Sequence, residues 1–407
     1  MKKTVLDNGF EIYTETIDVA KTVTFSIYIK AGSYQEVEPF GVAHLLEHMV
    51  FKGTEKRNAQ QISEDIEKYG GYMNAETSFD YTRYFTTIPY ENWKKGSEVI
   101  CDISFNSTIP DKEFSLEKKV VQEELKMYAD DSSSHVNDML LREMFKSYPN
   151  RQTLGGTVES VEKITKNHLI DFKNKYYNPS NMFAVVTGNV KHEEVVVFLT
   201  DIISGFGGEN IVDLRNKEFK VDILNSKTVS KERVAEQAHL SWGLFGPSEG
   251  NEDSFAVDVA ATILGGSSTS KLYKIIREQM GLAYTVNTNY MGLNDVGLII
   301  GYAGLDKSNV EPVKGIVVDE FEKLTKDMVS QDDLERAKNY ISGMQKTRLD
   351  NLPSINSYIG SSIISNISTN PDDYIKGINS VTRQDILRVA KKYFTKENWQ
   401  FSQITPK

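Results

Sequence analysis

The 407-residue chain holds a single cysteine, Cys101, so it can form no intrachain disulfide, and a lone thiol suits a reducing compartment. It lacks any apolar run near the roughly eighteen residues that a membrane-spanning helix needs. Its first residues, Met1-Lys2-Lys3-Thr4-Val5, carry two lysines with no apolar stretch behind them. They read as a strand entering a hairpin turn at Asn8-Gly9, not as a signal sequence. Basic residues are outnumbered 47 to 57, and the net charge of -10 argues against nucleic acid as a partner. That charge suits ordinary solubility, or a basic substrate. What remains is a soluble, cytoplasmic chain long enough for two or three domains with ample core.

Histidine is also scarce, with six in the chain, yet two of them stand four residues apart in His44-Leu45-Leu46-Glu47-His48. On a helix that spacing stacks both imidazoles on one face, with Glu47 on the same side. Neutral imidazoles are good zinc ligands, and three protein ligands plus an open position make a catalytic zinc site. A carboxylate beside the open position can take a proton from water there. The same string would also suit a solvated helix face. The flanks favour a buried helix: Pro39 and Gly41 precede it, Gly53 follows it, and Leu45, Leu46, Met49, Val50 and Phe51 wrap it in apolar surface. Two histidines and a glutamate buried there without a partner would be costly.

A third ligand is available from Ser115 to Leu125, which reads as a helix with Leu116, Val120, Val121 and Leu125 inward. Glu117 and Glu124 lie seven apart, two turns, and so share a face, whereas Glu123 points elsewhere. A glutamate pair at this spacing is also what an exposed acidic face looks like; the histidine motif makes the metal reading worth carrying.

The order H-x-x-E-H, in place of H-E-x-x-H, is the inverzincin arrangement. With the second glutamate 76 residues after His48, the chain resembles the family of pitrilysin, insulin-degrading enzyme and mitochondrial processing peptidase. The resemblance implies one zinc ion per chain held by His44, His48 and Glu124, with Glu47 as general base. It makes Glu117 a carboxylate that orients a ligand from behind. His135, His168, His192 and His239 match no zinc position. One departure is the segment Tyr148 to Thr153 before Leu154-Gly155, where the family often has a histidine; here it bears on substrate preference.

An internal repeat sets the architecture. Val161 to Thr165, Tyr176-Tyr177 and Asn181-Met182 recur at Ile378 to Thr382, Tyr393-Phe394 and Asn398-Trp399, at a constant offset of 217. Each copy reads as an amphipathic helix, capped near Thr165 or Thr382, followed by a strand (Met182 to Val186; Trp399 to Ile404). Two similar halves follow: a zinc-bearing domain over 1–215 and a homologous, metal-free one over 230–407, joined by the charged stretch Asp213 to Ser230. In the first half, strands around Val23 to Ile29, Tyr72 to Thr77 and Tyr81 to Ile88 mix with a helix from Asn58 to Tyr69 and later helices to Lys175. In the second, a strand at Gln237 to Leu244, helices from Asn251, strands from Ala283 and Gly297, and four helices repeat the order. The fold class is α+β, each domain a mixed sheet covered by helices. The resemblance makes the pair half of a clamshell.

At the place corresponding to the histidine motif, the second half has Gly265-Gly266-Ser267 through Tyr273, a glycine-rich helix start. It lacks the G-K-[ST] ending of a phosphate loop. The following Arg277 to Tyr284 resembles the family segment whose Arg and Tyr contact substrate; both can hydrogen-bond a peptide carbonyl or its developing oxyanion. From the residues alone they are equally a surface arginine and a strand tyrosine. Long family members hold four such domains in one chain, so the resemblance places Arg277 and Tyr284 in trans, at the zinc of a second subunit in a homodimer; the other option is a heterodimer with a zinc-free relative, in which this chain is the catalytic subunit. The resemblance also lays a peptide substrate along Asn74 and Ala75, pairing by backbone with loose side-chain specificity; the residues themselves are as well explained by a helix-to-strand turn. Two functions stand: a zinc endopeptidase for short or unfolded peptides, and a non-catalytic peptide-binding or scaffold subunit. Loss of a ligand or of the base would mark the second, and none is lost.

Overall fold

Thr22–Ile29 alternates Val23, Phe25, Ile27 and Ile29 with Thr24, Ser26 and Tyr28. Alternation predicts one buried face and one wet one. In the computed structural model, which describes residues 1–208, 227–395 and 398–407, both faces of this strand are covered. The reason lies in how the helices are shared out.

The helices are α1 (Val42–Val50), α2 (Ala59–Glu67), α3 (Trp93–Asn106), α4 (Asp111–Asp130), α5 (Ser132–Met144), α6 (Val158–Lys163), α7 (Lys166–Tyr176) and α8 (His192–Ile203). They continue with α9 (Ser254–Gly265), α10 (Val310–Lys326), α11 (Gln331–Arg348), α12 (Leu352–Ile364), α13 (Pro371–Ser380) and α14 (Arg383–Tyr393). The chain divides into two compact units. The first comprises Met1–Lys126, Thr153–Leu214 and Arg348–Ile364; the second comprises Met127–Gln152, Arg215–Thr347 and Ser365–Lys407. The units therefore depart from the consecutive stretches 1–215 and 230–407 by two exchanged segments, and the expected joint lies largely outside the described residues.

The first unit's sheet contains β1 (Lys2–Val5), β2 (Glu11–Thr16), β3 (Thr22–Ile29), β4 (Tyr72–Thr77), β5 (Thr82–Pro89) and β6 (Met182–Gly188), in the order β1-β2-β6-β3-β5-β4. Only β2 and β6 run parallel, so the sheet is mixed. One face carries Phe25, Ile27 and Ile29 into the main core with α1, α3 and α7. On the other face α12 packs against β3 and β6. Here Ser26 Oγ donates to Asn356 Oδ1 at 2.5 Å, and Asn356 Nδ2 reaches the carbonyls of Thr24 (3.1 Å) and Val185 (2.9 Å). The polar residues of β3 are thus buried under a helix and hydrogen-bonded to it. Tyr28 lies so close that a Cβ on Gly360 would meet its ring at 2.0 Å.

The second unit repeats this plan with β7 (Lys227–Arg233), β8 (Ala238–Gly246), β9 (Ala283–Gly292), β10 (Gly297–Leu305) and β11 (Gln400–Pro406), in the order β7-β11-β8-β10-β9. The parallel pair β7/β11 matches β2/β6, and the rest is antiparallel. Its second face is covered by α5, whose Asn137 Oδ1 accepts from Ser241 Oγ at 2.7 Å. After β10 the described residues form five helices, one more than the spacing suggests, and α12 belongs with the first sheet. Both halves are α+β, mixed sheets covered by helices. Among the described residues no helix is long and apolar enough to cross a membrane.

Candidate metal centre

α1 begins at Gly41, whose φ of +102° is a left-handed conformation that glycine adopts freely, and a Cβ there would lie 2.5 Å from the Gly155 carbonyl oxygen. From Val42 the helix is buried through Val42, Ala43, Leu45, Leu46, Met49 and Val50. That apolar packing fixes its rotation and leaves one stripe for His44, Glu47 and His48. Their rings stand edge to face, centroids 4.8 Å apart at 78°.

α4 brings Glu124 to both imidazoles. Its Oε1 lies 3.8 Å from His44 Nε2 and its Oε2 lies 3.4 Å from His48 Nε2. One ligand atom from each of His44, His48 and Glu124 falls within 4.8 Å of the others, and among the described residues no other such group of three is present. Glu117, buried on the same helix, lies 3.3 Å from His48 Nδ1. Glu117 accepting from Nδ1–H leaves the His48 Nε2 lone pair on the Glu124 side. The other Glu117 oxygen takes Lys52 Nζ at 2.7 Å. The face of α4 differs from the expected one: Val121 is buried, but Leu116 and Val120 are about half exposed, at 47% and 49%. The helix turns Glu117 inward in their place because His48 and Lys52 meet it.

Burial, with His48 beside it, pushes His44 down to about 4, against the pull of Glu124. At neutral pH its imidazole is therefore unprotonated, the form that binds metal. Two imidazoles and a carboxylate within this span are the donor set and count of a catalytic zinc site, so the residues fit the ion. Glu47 does not join the ligand cluster. Its Oε2 accepts from Thr77 Oγ1 at 2.5 Å. Burial holds its carboxyl above the usual range, opposed by the Thr77 bond and His48 and helped by Glu124 and Glu76. A raised carboxylate pKa suits a general base working near neutral pH.

Asn74 and Ala75 lie on β4, the edge strand of the first sheet. Asn74 is exposed and its Oδ1 accepts from the Ala75 N–H at 2.9 Å, leaving the amide nitrogen outward; Ala75 is half-buried against the core. In the second unit, Arg277 sits on a π-helical turn, Tyr273–Gln279, and Tyr284 is the second residue of β9. The structure brings the two together: the Arg277 guanidinium carbon is 5.0 Å from the Tyr284 ring centroid and 4.9 Å from that of Tyr273. Tyr284 is 73% exposed. The place of α1 is taken there by α9, Ser254–Gly265, which holds no histidine. Gly265-Gly266 thus closes α9, with Gly266 as its C-cap, and does not open the next helix as the sequence suggests.

Sequence reasoning missed Thr77, Lys52, Tyr273 and Glu36. Thr77 follows Asn74-Ala75 by two residues and Lys52 follows the motif by four, but neither carries a local pattern. Glu36 is buried, with Oε2 2.8 Å from the Gly41 nitrogen and Oε1 2.6 Å from the Ala43 nitrogen. Burial raises its carboxyl more than the two N–H bonds lower it, so that it stands at about 8. Each oxygen already accepts an N–H, so protonation would sacrifice one bond, and the arrangement is that of the carboxylate.

Comparison with known proteins finds matches in both halves of the chain. A family model described as Insulinase (Peptidase family M16) matches residues 11–158, and one described as Peptidase M16 inactive domain matches residues 163–341. An uncharacterized zinc protease of Streptomyces coelicolor is 31% identical over 407 residues, covering 96% of this chain and 86% of its own. One from Bacillus subtilis is 29% identical over 412 residues, covering 100% of this chain and 98% of its own. Among solved structures, a protease from Helicobacter pylori superimposes with a TM-score of 0.93 at 22% identity, covering 100% of this chain and 99% of that one. A peptidase M16 inactive domain from Pseudomonas fluorescens gives 0.90 at 16%, covering 100% and 98%.

Proposed function

The chain belongs to the M16 peptidase family, and within it we propose that it is a zinc-dependent endopeptidase for short or unfolded peptides, with His44, His48 and Glu124 as ligands and Glu47 as general base. The observation that carries this reading is the convergence of the three ligand atoms beside a separately held carboxylate. When bound, zinc supplies Lewis acidity toward a peptide carbonyl and toward water. Glu47 then takes a proton from the attacking water and returns it to the leaving amine, its free oxygen aimed by the Thr77 bond to the other. Glu117 holds His48 in the tautomer that ligates.

Peptide adds to the open edge of β4 through its backbone, with Asn74 offering its amide nitrogen to a carbonyl and Ala75 leaving room. In a homodimer Arg277 and Tyr284 complete a composite site at the zinc of the second copy; in a heterodimer with a zinc-free relative this chain is the catalytic subunit. An arginine stacked between two phenol rings, one largely exposed, is a preformed donor pair awaiting a surface. A single buried cysteine suits cytoplasmic residence. The alternative, a non-catalytic peptide-binding or scaffold subunit, finds its counterpart in the second unit, where α9 offers no histidine; the intact first unit favours catalysis. The test is hydrolysis of a quenched fluorescent peptide by the purified chain. Loss of hydrolysis on chelation and its return with zinc support the reading, and a rate that ignores chelator defeats it.

A further inference from the structure

The two histidines of the centre are held in different ways. His48 has its own second partner, Glu117, at Nδ1. His44 Nδ1 is buried and makes no hydrogen bond, and its ring faces the Cα of Gly155, where a Cβ would lie 3.1 Å from that nitrogen. No hydrogen bond at Nδ1 sets the direction of His44, so its aim depends on ring packing and on the backbone it is mounted on.

That backbone is the first turn of α1, where helices leave N–H groups unsatisfied. The N-cap is Gly41, which has no side chain to cap with. Glu36 supplies the cap from outside the helix, one carboxylate oxygen on the Gly41 N–H and one on the Ala43 N–H. Ala43 immediately precedes His44. Among the described residues Glu36 has no ion pair, so its buried charge rests on these two N–H groups and on the positive end of the helix. The strand of chain leading in is tied as well, with Ser160 Oγ donating to the Phe40 carbonyl at 2.7 Å.

We propose that Glu36 is the positioning residue for His44, fixing through the backbone the ligand that Glu117's counterpart role leaves unheld. This rests on the zinc reading above. A carboxylate is required because two N–H donors must be met by two acceptor oxygens. Glutamine offers one acceptor and sets an NH2 group against the other N–H, and aspartate is one methylene too short to reach both.

The experiment measures zinc affinity by chelator competition for wild type, Glu36→Gln and Glu36→Asp, with the thermal midpoint of each apo protein and the visible spectrum of each cobalt-substituted form. Wild type is expected to bind one zinc. Glu36→Gln should bind it roughly 10–100-fold more weakly, the range seen when a supporting partner of a ligand is lost. Glu36→Asp should fall between, and both should show an altered cobalt spectrum below their melting temperatures. Should Glu36→Gln fail to fold, the Glu36→Asp affinity and spectrum decide. Variants that bind zinc as tightly as wild type with an unchanged spectrum, whatever their midpoints, overturn the proposal. A wild type that binds no zinc overturns instead the reading on which it rests.

Discussion

Thr77, the last residue of β4, donates from Oγ1 to Glu47 Oε2 in the middle of α1. One hydrogen bond thereby joins the strand proposed to hold substrate to the residue proposed to act as base. It occupies one carboxylate oxygen and leaves the other for the water.

Replacing Thr77 by valine keeps the shape and removes the donor. The expected result is a drop in kcat of about 10-fold, part of the ~10²–10⁴ that a general base contributes, with KM and zinc content near wild type. Thr77→Ser should restore most of the rate. Steady-state kinetics with metal analysis checks this, and an unchanged kcat for the valine variant would remove Thr77 from the catalytic arrangement.

Glu117 bridges His48 and Lys52. Glu117→Ala should weaken zinc binding roughly 10–100-fold, as loss of a ligand's supporting carboxylate does. Lys52→Met leaves the carboxylate in place and should cost less. Chelator competition measures both, and a Lys52 variant as damaged as the Glu117 variant would contradict this order.

The exchanged helix α12 has a stability consequence. Asn356 is fully buried, and besides its bonds to β3 and β6 it accepts from Arg83 Nη2 at 3.1 Å. Asn356→Ala strands several buried polar groups and should cost about 3 kcal/mol or more, at ~1–3 kcal/mol per unsatisfied group. Gly360→Ala drives a methyl into the Tyr28 ring and should cost about 1–3 kcal/mol unless α12 shifts. Urea unfolding reads both, and midpoints equal to wild type would show that α12 does not hold the sheet face.

The composite site predicts complementation. Glu47→Gln and Arg277→Ala, each inactive alone, should regain activity when mixed under conditions of subunit exchange, because one mixed pairing restores an intact site. Exchange demonstrated by mass, with no recovery of hydrolysis, would place Arg277 elsewhere.

The motif, the glutamate pair and the repeat were readable because they are spacings along one chain. Helix and strand periods turn such spacings into shared faces, and His44, His48, Glu117 and Glu124 duly converge. The exchange of α5 and α12 was not readable: a helix's period tells which face is apolar but not which sheet will cover it. Ser26 and Tyr28 are the polar and amphipathic residues alternating along β3, and the cover they lie under comes from over three hundred residues away in sequence. Apolarity points Leu116 and Val120 inward on α4, but contacts with His48 and Lys52 turn Glu117 inward and leave both half exposed. Thr77, Lys52 and Glu36 act through single tertiary contacts that leave no periodic trace.

The central claim is that Glu47 acts as base at a zinc held by His44, His48 and Glu124. Its most direct test compares wild type with Glu47→Gln on one quenched fluorescent peptide, with zinc content measured in both. The account predicts one zinc per chain in each, chelator-sensitive hydrolysis by wild type, and a rate lower by about 10²–10⁴-fold in the variant. Equal rates in the two proteins, unaffected by chelator, would contradict it.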